Sequence, residues 1–139
     1  MMVHATCVAI GDRAVLLCGP SGSGKSDLAL RLIDGGAQLV ADDQVALRAE
    51  GGRIIARAPE ALAGRMEVRG IGIVAVAHIA AAPVALVVDL VAAAAVERMP
   101  EPARRSFLDI ALPLVALCGV TIHTLRSDEV RQQFERTQR

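Results

Sequence analysis

Residues 19–26 read Gly-Pro-Ser-Gly-Ser-Gly-Lys-Ser, a spacing suited to cradling a polyphosphate. Gly19, Gly22 and Gly24 let successive backbone N–H groups turn inward, with Pro20, Ser21 and Ser23 filling the positions between them. Within such a loop the ammonium of Lys25 reaches the β- and γ-phosphates and the Ser26 hydroxyl holds Mg²⁺. Asp27 follows in the first turn of a predicted helix, whose positive dipole end adds to the same concavity. A glycine-rich turn without a ligand is the plainer alternative. The apolar run before the loop and the helical spacing after it favour the phosphate site.

A phosphate loop states what binds and leaves the reaction open. Leu39-Val40-Ala41 runs into the adjacent carboxylates Asp42 and Asp43. In phosphoryl transfer one such acid organises Mg²⁺ and the other accepts the proton of the attacking hydroxyl. Alone, the pair would be a solvated acidic turn; beside a phosphate loop it becomes a candidate for that division of labour. Further on, Arg69-Gly70-Ile71-Gly72 places a guanidinium fork next to glycines that permit close backbone approach to phosphate or a protein substrate. A plain strand entry is the alternative there.

The elements that must position these groups follow from the apolar pattern. Ala5–Ile10 and Ala14–Cys18 predict short strands, the second buried and feeding the glycine loop. Leu28, Ala29, Leu32 and Ile33 share a helical face closed by Gly35-Gly36. Gln38–Ala41 predicts another strand, and Val45–Ala49 with Arg53–Ala58 a hairpin about Gly51-Gly52. Residues 59–64 suggest a short helical turn. The apolar stretch Ile71–Val96 is broken by His78, Pro83 and Asp89, so it predicts two buried strands with a turn at Ala-Ala-Pro rather than a membrane span. Leu112–Leu117 predicts a last strand and Asp128–Thr137 a terminal amphipathic helix. The expected fold is α/β, a P-loop kinase domain with a mainly parallel central sheet and a hairpin-rich flank, forming one domain over residues 1–139.

Composition narrows the partners. Fifteen basic and fifteen acidic side chains balance, and Phe107 and Phe134 are the only aromatics, so neither an electrostatic footprint nor stacking platforms for nucleic acid exist. Neither nucleic acid nor membrane is expected as a partner. Cys7, Cys18 and Cys118 lack metal-ligand spacing and read as small buried hydrophobes in a reducing compartment. The start Met-Met-Val-His has no basic signal region, which suggests a cytoplasmic protein.

Three blocks, Gly-Pro-Ser-Gly-Ser-Gly-Lys-Ser-Asp at 19–27, Leu-Val-Ala-Asp-Asp-Gln-Val at 39–45 and Met-Glu-Val-Arg-Gly-Ile-Gly-Ile-Val at 66–74, resemble the C-terminal catalytic domain of HPr kinase/phosphorylase. The likeness covers roughly residues 3–98 and matches the short alphaproteobacterial type. It implies an ATP- and Mg²⁺-dependent protein serine kinase acting on the phosphocarrier HPr in carbohydrate regulation. Carried over by position, Asp43 resembles the general base, Glu67 a second Mg²⁺ ligand beside Ser26 and Asp42, His4 the catalytic histidine, and Arg98 an active-site arginine. A hexamer is implied as well. Members active in both directions carry a basic Pro-Val-Arg-Pro-Gly-Arg-Asn segment; here Leu112–Thr124 has no arginine, so the residues do not support the reverse, phosphorylase, direction. Two other readings share the loop: a small-metabolite kinase with Arg57, Arg65 and Arg69 serving a lid, and an ATP-sensing module that transfers nothing.

Overall fold

Strands β2 (Thr6–Ile10) and β3 (Arg13–Cys18) are almost wholly buried, because their side chains alternate between two apolar clusters and neither face meets water. They belong to a computed structural model that describes residues 1–68, 70–92, 102–118 and 124–137, with side chains in the last segment described from 130 to 136. Helix α1 (Lys25–Asp34) presents Leu28, Ala29 and Leu32 to one face of β3, and Gly35 ends it. Helix α2 (Thr124–Thr137) adds Val130 and Phe134, one turn apart, to the same cluster. Its Arg131 donates over 2.9 Å to the Leu32 carbonyl, which also accepts the Ala37 amide at 3.0 Å, so α2 is fastened to the end of α1.

Among the described residues the main sheet has nine strands. With β1 (Met2–His4), β4 (Gln38–Ala41), β5 (Gln44–Glu50), β6 (Arg53–Arg57) and β9 (Ala81–Val91), its order is β1-β5-β6-β9-β3-β2-β4. Strands β10 (Ala103–Phe107) and β11 (Ile110–Cys118) form a hairpin that joins through β11 to β9. Among the described strands only β3 with β9 and β9 with β11 run parallel, and the other strand pairings are antiparallel. The expected mainly parallel sheet is therefore corrected to a mixed, mostly antiparallel one. The reason lies in the connections: β2–β3, β5–β6 and β10–β11 are tight hairpins, which can join only antiparallel neighbours.

The hairpins carry their turns differently. Gly51 and Gly52, at φ 60° and 77°, make the β5–β6 turn expected from their sequence. Leu108 and Asp109 adopt the same left-handed pair at φ 49° and 64° without any glycine, so the β10–β11 turn left no mark in the sequence.

Two further expectations change. Pro83 does not turn the chain: it lies inside β9, opposite Ile55 of β6 and just before β3 begins to pair at Val84. There β9 has a neighbour on one side only, so a residue without N–H is tolerated. Of the two buried strands expected there, the second is β9 and the first, from Ile71, is corrected. β7 (Arg65–Val68) and β8 (Gly72–Ala75) form a separate two-stranded hairpin, with Met66 buried while Ile71 and Ile73 are 76% and 67% exposed. Among the described residues no helix is long and apolar enough to cross a membrane.

Candidate functional site

Because β3 and β9 are parallel, their carboxyl ends open at one edge, and β3 hands the chain there to the glycine loop. Gly19, Gly22 and Gly24 have φ of 143°, 81° and 98°, so the loop is built from conformations that side chains resist. A Cβ on Gly19 would meet the Ser23 hydroxyl at 2.7 Å and the Leu90 carbonyl at 2.9 Å, whereas one on Gly22 would meet nothing. The loop bends back on itself through Ser23 N–H to the Pro20 carbonyl at 3.1 Å. Pro20 and Ser21 are exposed at its outer turn, Asp27 is exposed on the first turn of α1, and Ser23 is buried.

Lys25 opens α1 and is buried at 7% exposure. Its ammonium folds back onto the loop, donating to the Gly19 carbonyl at 2.6 Å and the Pro20 carbonyl at 3.1 Å. Ser26, one residue on, donates to Asp42 Oδ1 over 3.0 Å. The same oxygen accepts from Thr6 Oγ1 at 2.9 Å, and Oδ2 accepts the Glu67 amide at 3.3 Å. One buried carboxylate thus fastens β2, β4, α1 and β7 together. Thr6 escaped the sequence reading; the sign of it was a lone polar residue inside the apolar run Ala5–Ile10.

Asp43 points elsewhere. It takes φ 68°, a left-handed conformation that Asp tolerates, and this twist separates its side chain from that of Asp42. The Ala5 amide donates to its carbonyl at 3.2 Å. Its carboxylate lies 3.2 Å from His4 Nδ1, with the two side chains 67% and 52% exposed. His4 is delivered by β1, whose register sets it opposite Gln44 of β5. Met1 exchanges hydrogen bonds with Leu47, so this edge strand is tied down. So exposed a pair adds little stability; its consequence is the orientation of Asp43.

Glu67 joins the site through its backbone amide, while its side chain is exposed on the face of β7 opposite Met66. Arg69 and Arg98 lie outside the described residues. Of the lid arginines, Arg57 ends β6 and Arg65 opens β7, in different sheets, and both are exposed. Among the described residues no group of three or more His, Cys, Asp or Glu is gathered for a metal. What the site offers a cation is oxygen, from Ser26 and Asp42, in a number that suits Mg²⁺ completed by water and phosphate.

On the sheet face opposite α1, Arg105 of β10 pairs with Asp89 of β9 at 3.1 Å, level with Cys18, the last residue before the loop. Burial pushes the Cys18 thiol up, while the Arg105 guanidinium and the Lys25 ammonium act the other way. In the sequence Asp89 stands out only as an interruption of the apolar stretch, and Arg105 does not stand out. Their meeting depends on the β10–β11 hairpin, which the sequence did not disclose.

The family model described as the HPr serine kinase C-terminal domain matches residues 1–117. The HPr kinase/phosphorylase of Clostridium beijerinckii is 42% identical over 72 residues, 52% of this chain and 24% of that protein. That of Peptoclostridium acidaminophilum is 47% identical over 72 residues, 51% of this chain and 23% of the relative. The matched part thus spans about a quarter of those curated relatives' length. The solved structure of the Hpr(Ser) kinase/phosphatase from Coxiella burnetii superposes with a TM-score of 0.87 at 29% identity, covering 100% of this chain and 99% of that one.

Proposed function

The chain belongs to the HPr serine kinase C-terminal domain family, and from that premise we propose that it transfers the γ-phosphoryl group of ATP to a serine hydroxyl of HPr. The observation that carries the proposal is the division between two adjacent carboxylates. Asp42 is buried and fastened beneath the glycine loop, while Asp43 is exposed beside His4, where a protein hydroxyl can reach it.

In this reading the loop amides and Lys25 receive the phosphates, Lys25 giving up the Gly19 and Pro20 carbonyls to do so. Asp43 accepts the proton of the incoming serine, and His4 holds the Asp43 carboxylate toward it. Ser26, Asp42 and, after a turn of its side chain, Glu67 hold Mg²⁺. Held by these residues, Mg²⁺ would supply positive charge against the charge that develops during phosphoryl transfer. Asp27 adds a carboxylate at the rim of the nucleotide site, and Arg98, by the family resemblance, completes it. Placement and charge stabilisation supply most of the rate. By the same resemblance we assign it to the cytoplasm as a hexamer, which light scattering would check.

The deciding experiment incubates the chain with HPr and labelled ATP-Mg²⁺. Serine phosphorylation that disappears in Asp43→Asn supports the proposal. Absence of transfer with tight ATP binding would favour a nucleotide sensor, and ADP release with small metabolites but not HPr would favour a metabolite kinase.

A further inference from the structure

Among the described residues one buried side-chain polar atom has no hydrogen-bond partner, and it lies inside the glycine loop: Ser23 Oγ. Ser23 is 8% exposed, and its oxygen is sealed from solvent. A buried hydroxyl without a partner is costly, so a second state that satisfies it is to be sought nearby. Its closest landmark is Gly19. The hydroxyl lies 2.7 Å from where a Cβ on Gly19 would sit, an approach that only glycine permits.

The carbonyl of Gly19 has its own particular circumstance. Its partner is Lys25 Nζ, at 2.6 Å. The Pro20 carbonyl also holds Lys25, but it keeps the Ser23 amide when the lysine departs. Departure of Lys25 toward phosphate therefore orphans one acceptor, Gly19 O, next to one orphan donor, Ser23 Oγ. Each buried group needs a partner in each state, and the Ser23 hydroxyl, against the Cα of Gly19, is the unpaired donor at hand.

Resting on the reading of the loop as a phosphate site, we propose that Ser23 is a positioning residue that takes over the Gly19 carbonyl when Lys25 leaves it for phosphate. The hydroxyl does not touch the ligand, because it is sealed beneath the loop. It offsets the desolvated carbonyl that Lys25 leaves behind, and so favours the ligand-bound loop over the empty one.

The signs of the expected effects separate this role from simple packing. Ser23→Ala removes a hydroxyl that is unpaired in the empty loop, so the melting temperature of the ligand-free chain stays the same or rises. The same change removes a hydrogen bond from the occupied loop, so ATP-Mg²⁺ binds roughly fivefold more weakly by calorimetry. Lys25→Met gives a second reading without any ligand. With the ammonium gone, Gly19 O is free for Ser23, and Ser23→Ala now lowers the melting temperature of the Lys25→Met chain while leaving the unmutated background unharmed. An equal loss of stability in both backgrounds, or an unchanged affinity in Ser23→Ala, would overturn the exchange. If the unmutated chain gains no stability from ATP-Mg²⁺, the nucleotide reading itself fails, and the Lys25→Met comparison still decides the role of Ser23.

Discussion

The Ser26 hydroxyl donates to Asp42 Oδ1 over 3.0 Å, tying the first turn of α1 to the end of β4 through a carboxylate that Thr6 and the Glu67 amide also hold. Replacing that carboxylate strands three donors at once, of which Thr6 is fully buried. Asp42→Ala should therefore destabilise the ligand-free chain by about 2 kcal/mol, the cost of an unpaired buried polar group. Urea unfolding measures it. A midpoint that does not move would mean that water replaces the carboxylate without loss and that Asp42 has no architectural part.

Asp43 calls for a different substitution. Its φ of 68° suits Asp, Asn or Gly, so Asp43→Ala would add backbone strain to any chemical effect. Asp43→Asn keeps the conformation and the contact distance to His4 while removing the proton acceptor. Serine phosphorylation should fall by roughly 10²- to 10⁴-fold, the usual contribution of a general base, with ATP-Mg²⁺ affinity retained. Quantifying transfer and binding on the same preparation would check both halves; a loss of affinity parallel to the loss of transfer would place Asp43 in nucleotide binding instead.

The two loop glycines should separate in the same way that their surroundings do. Gly19→Ala forces a methyl onto the Ser23 hydroxyl at 2.7 Å and the Leu90 backbone at 2.9 Å, and the backbone cannot yield. Gly22→Ala meets open space and bears only the penalty of a left-handed residue at φ 81°, about 1 kcal/mol. Thermal unfolding should show Gly19→Ala as clearly the less stable of the pair. Equal losses would show that conformation alone, and not the packing of the loop on β9, sets the requirement for glycine.

How much of this was written in the sequence depends on whether the signal was local. The glycine loop, α1 and β4 were legible because spacing within ten residues specifies them, and β4 falls on Gln38–Ala41 as expected. The two acids were legible as a pair, but their division of labour was not: it arises from the left-handed turn at Asp43 and from Thr6 on another strand. Sheet direction was misread because a P-loop suggests parallel neighbours, while hairpins reverse most of the strands. Pro83 was misread as a breaker because which side of β9 lacks a partner is decided by β3 and β6, far off in sequence. Ile71 and Ile73 were expected in a core for their apolarity alone; the hairpin buries Met66 and leaves them outside.

Alkaline pH gives a test of the core itself. Cys7 is fully buried in β2, and burial, aided by the neighbouring Cys18, pushes its thiol far above the ordinary 9.0. In the folded chain the thiol stays protonated while the unfolded chain releases its proton above pH 9, so the unfolded state binds fewer protons there. Stability from this group is complete below that pH and declines as pH rises past it, by about 1.4 kcal/mol per pH unit. The chain has no tyrosine, and Lys25 is its sole lysine, so the thiols dominate this range, with Cys18, whose thiol is also raised by burial, adding to the slope in the same direction. Cys7→Ala should lower stability at neutral pH through the lost contacts and flatten the decline between pH 9 and roughly pH 10, just above the ordinary thiol range. Urea unfolding at pH 8, 9 and 10 under reducing conditions reads the slope directly. Parallel pH profiles for the variant and the unmutated chain would mean that β2 opens to hydroxide while the sheet stays folded.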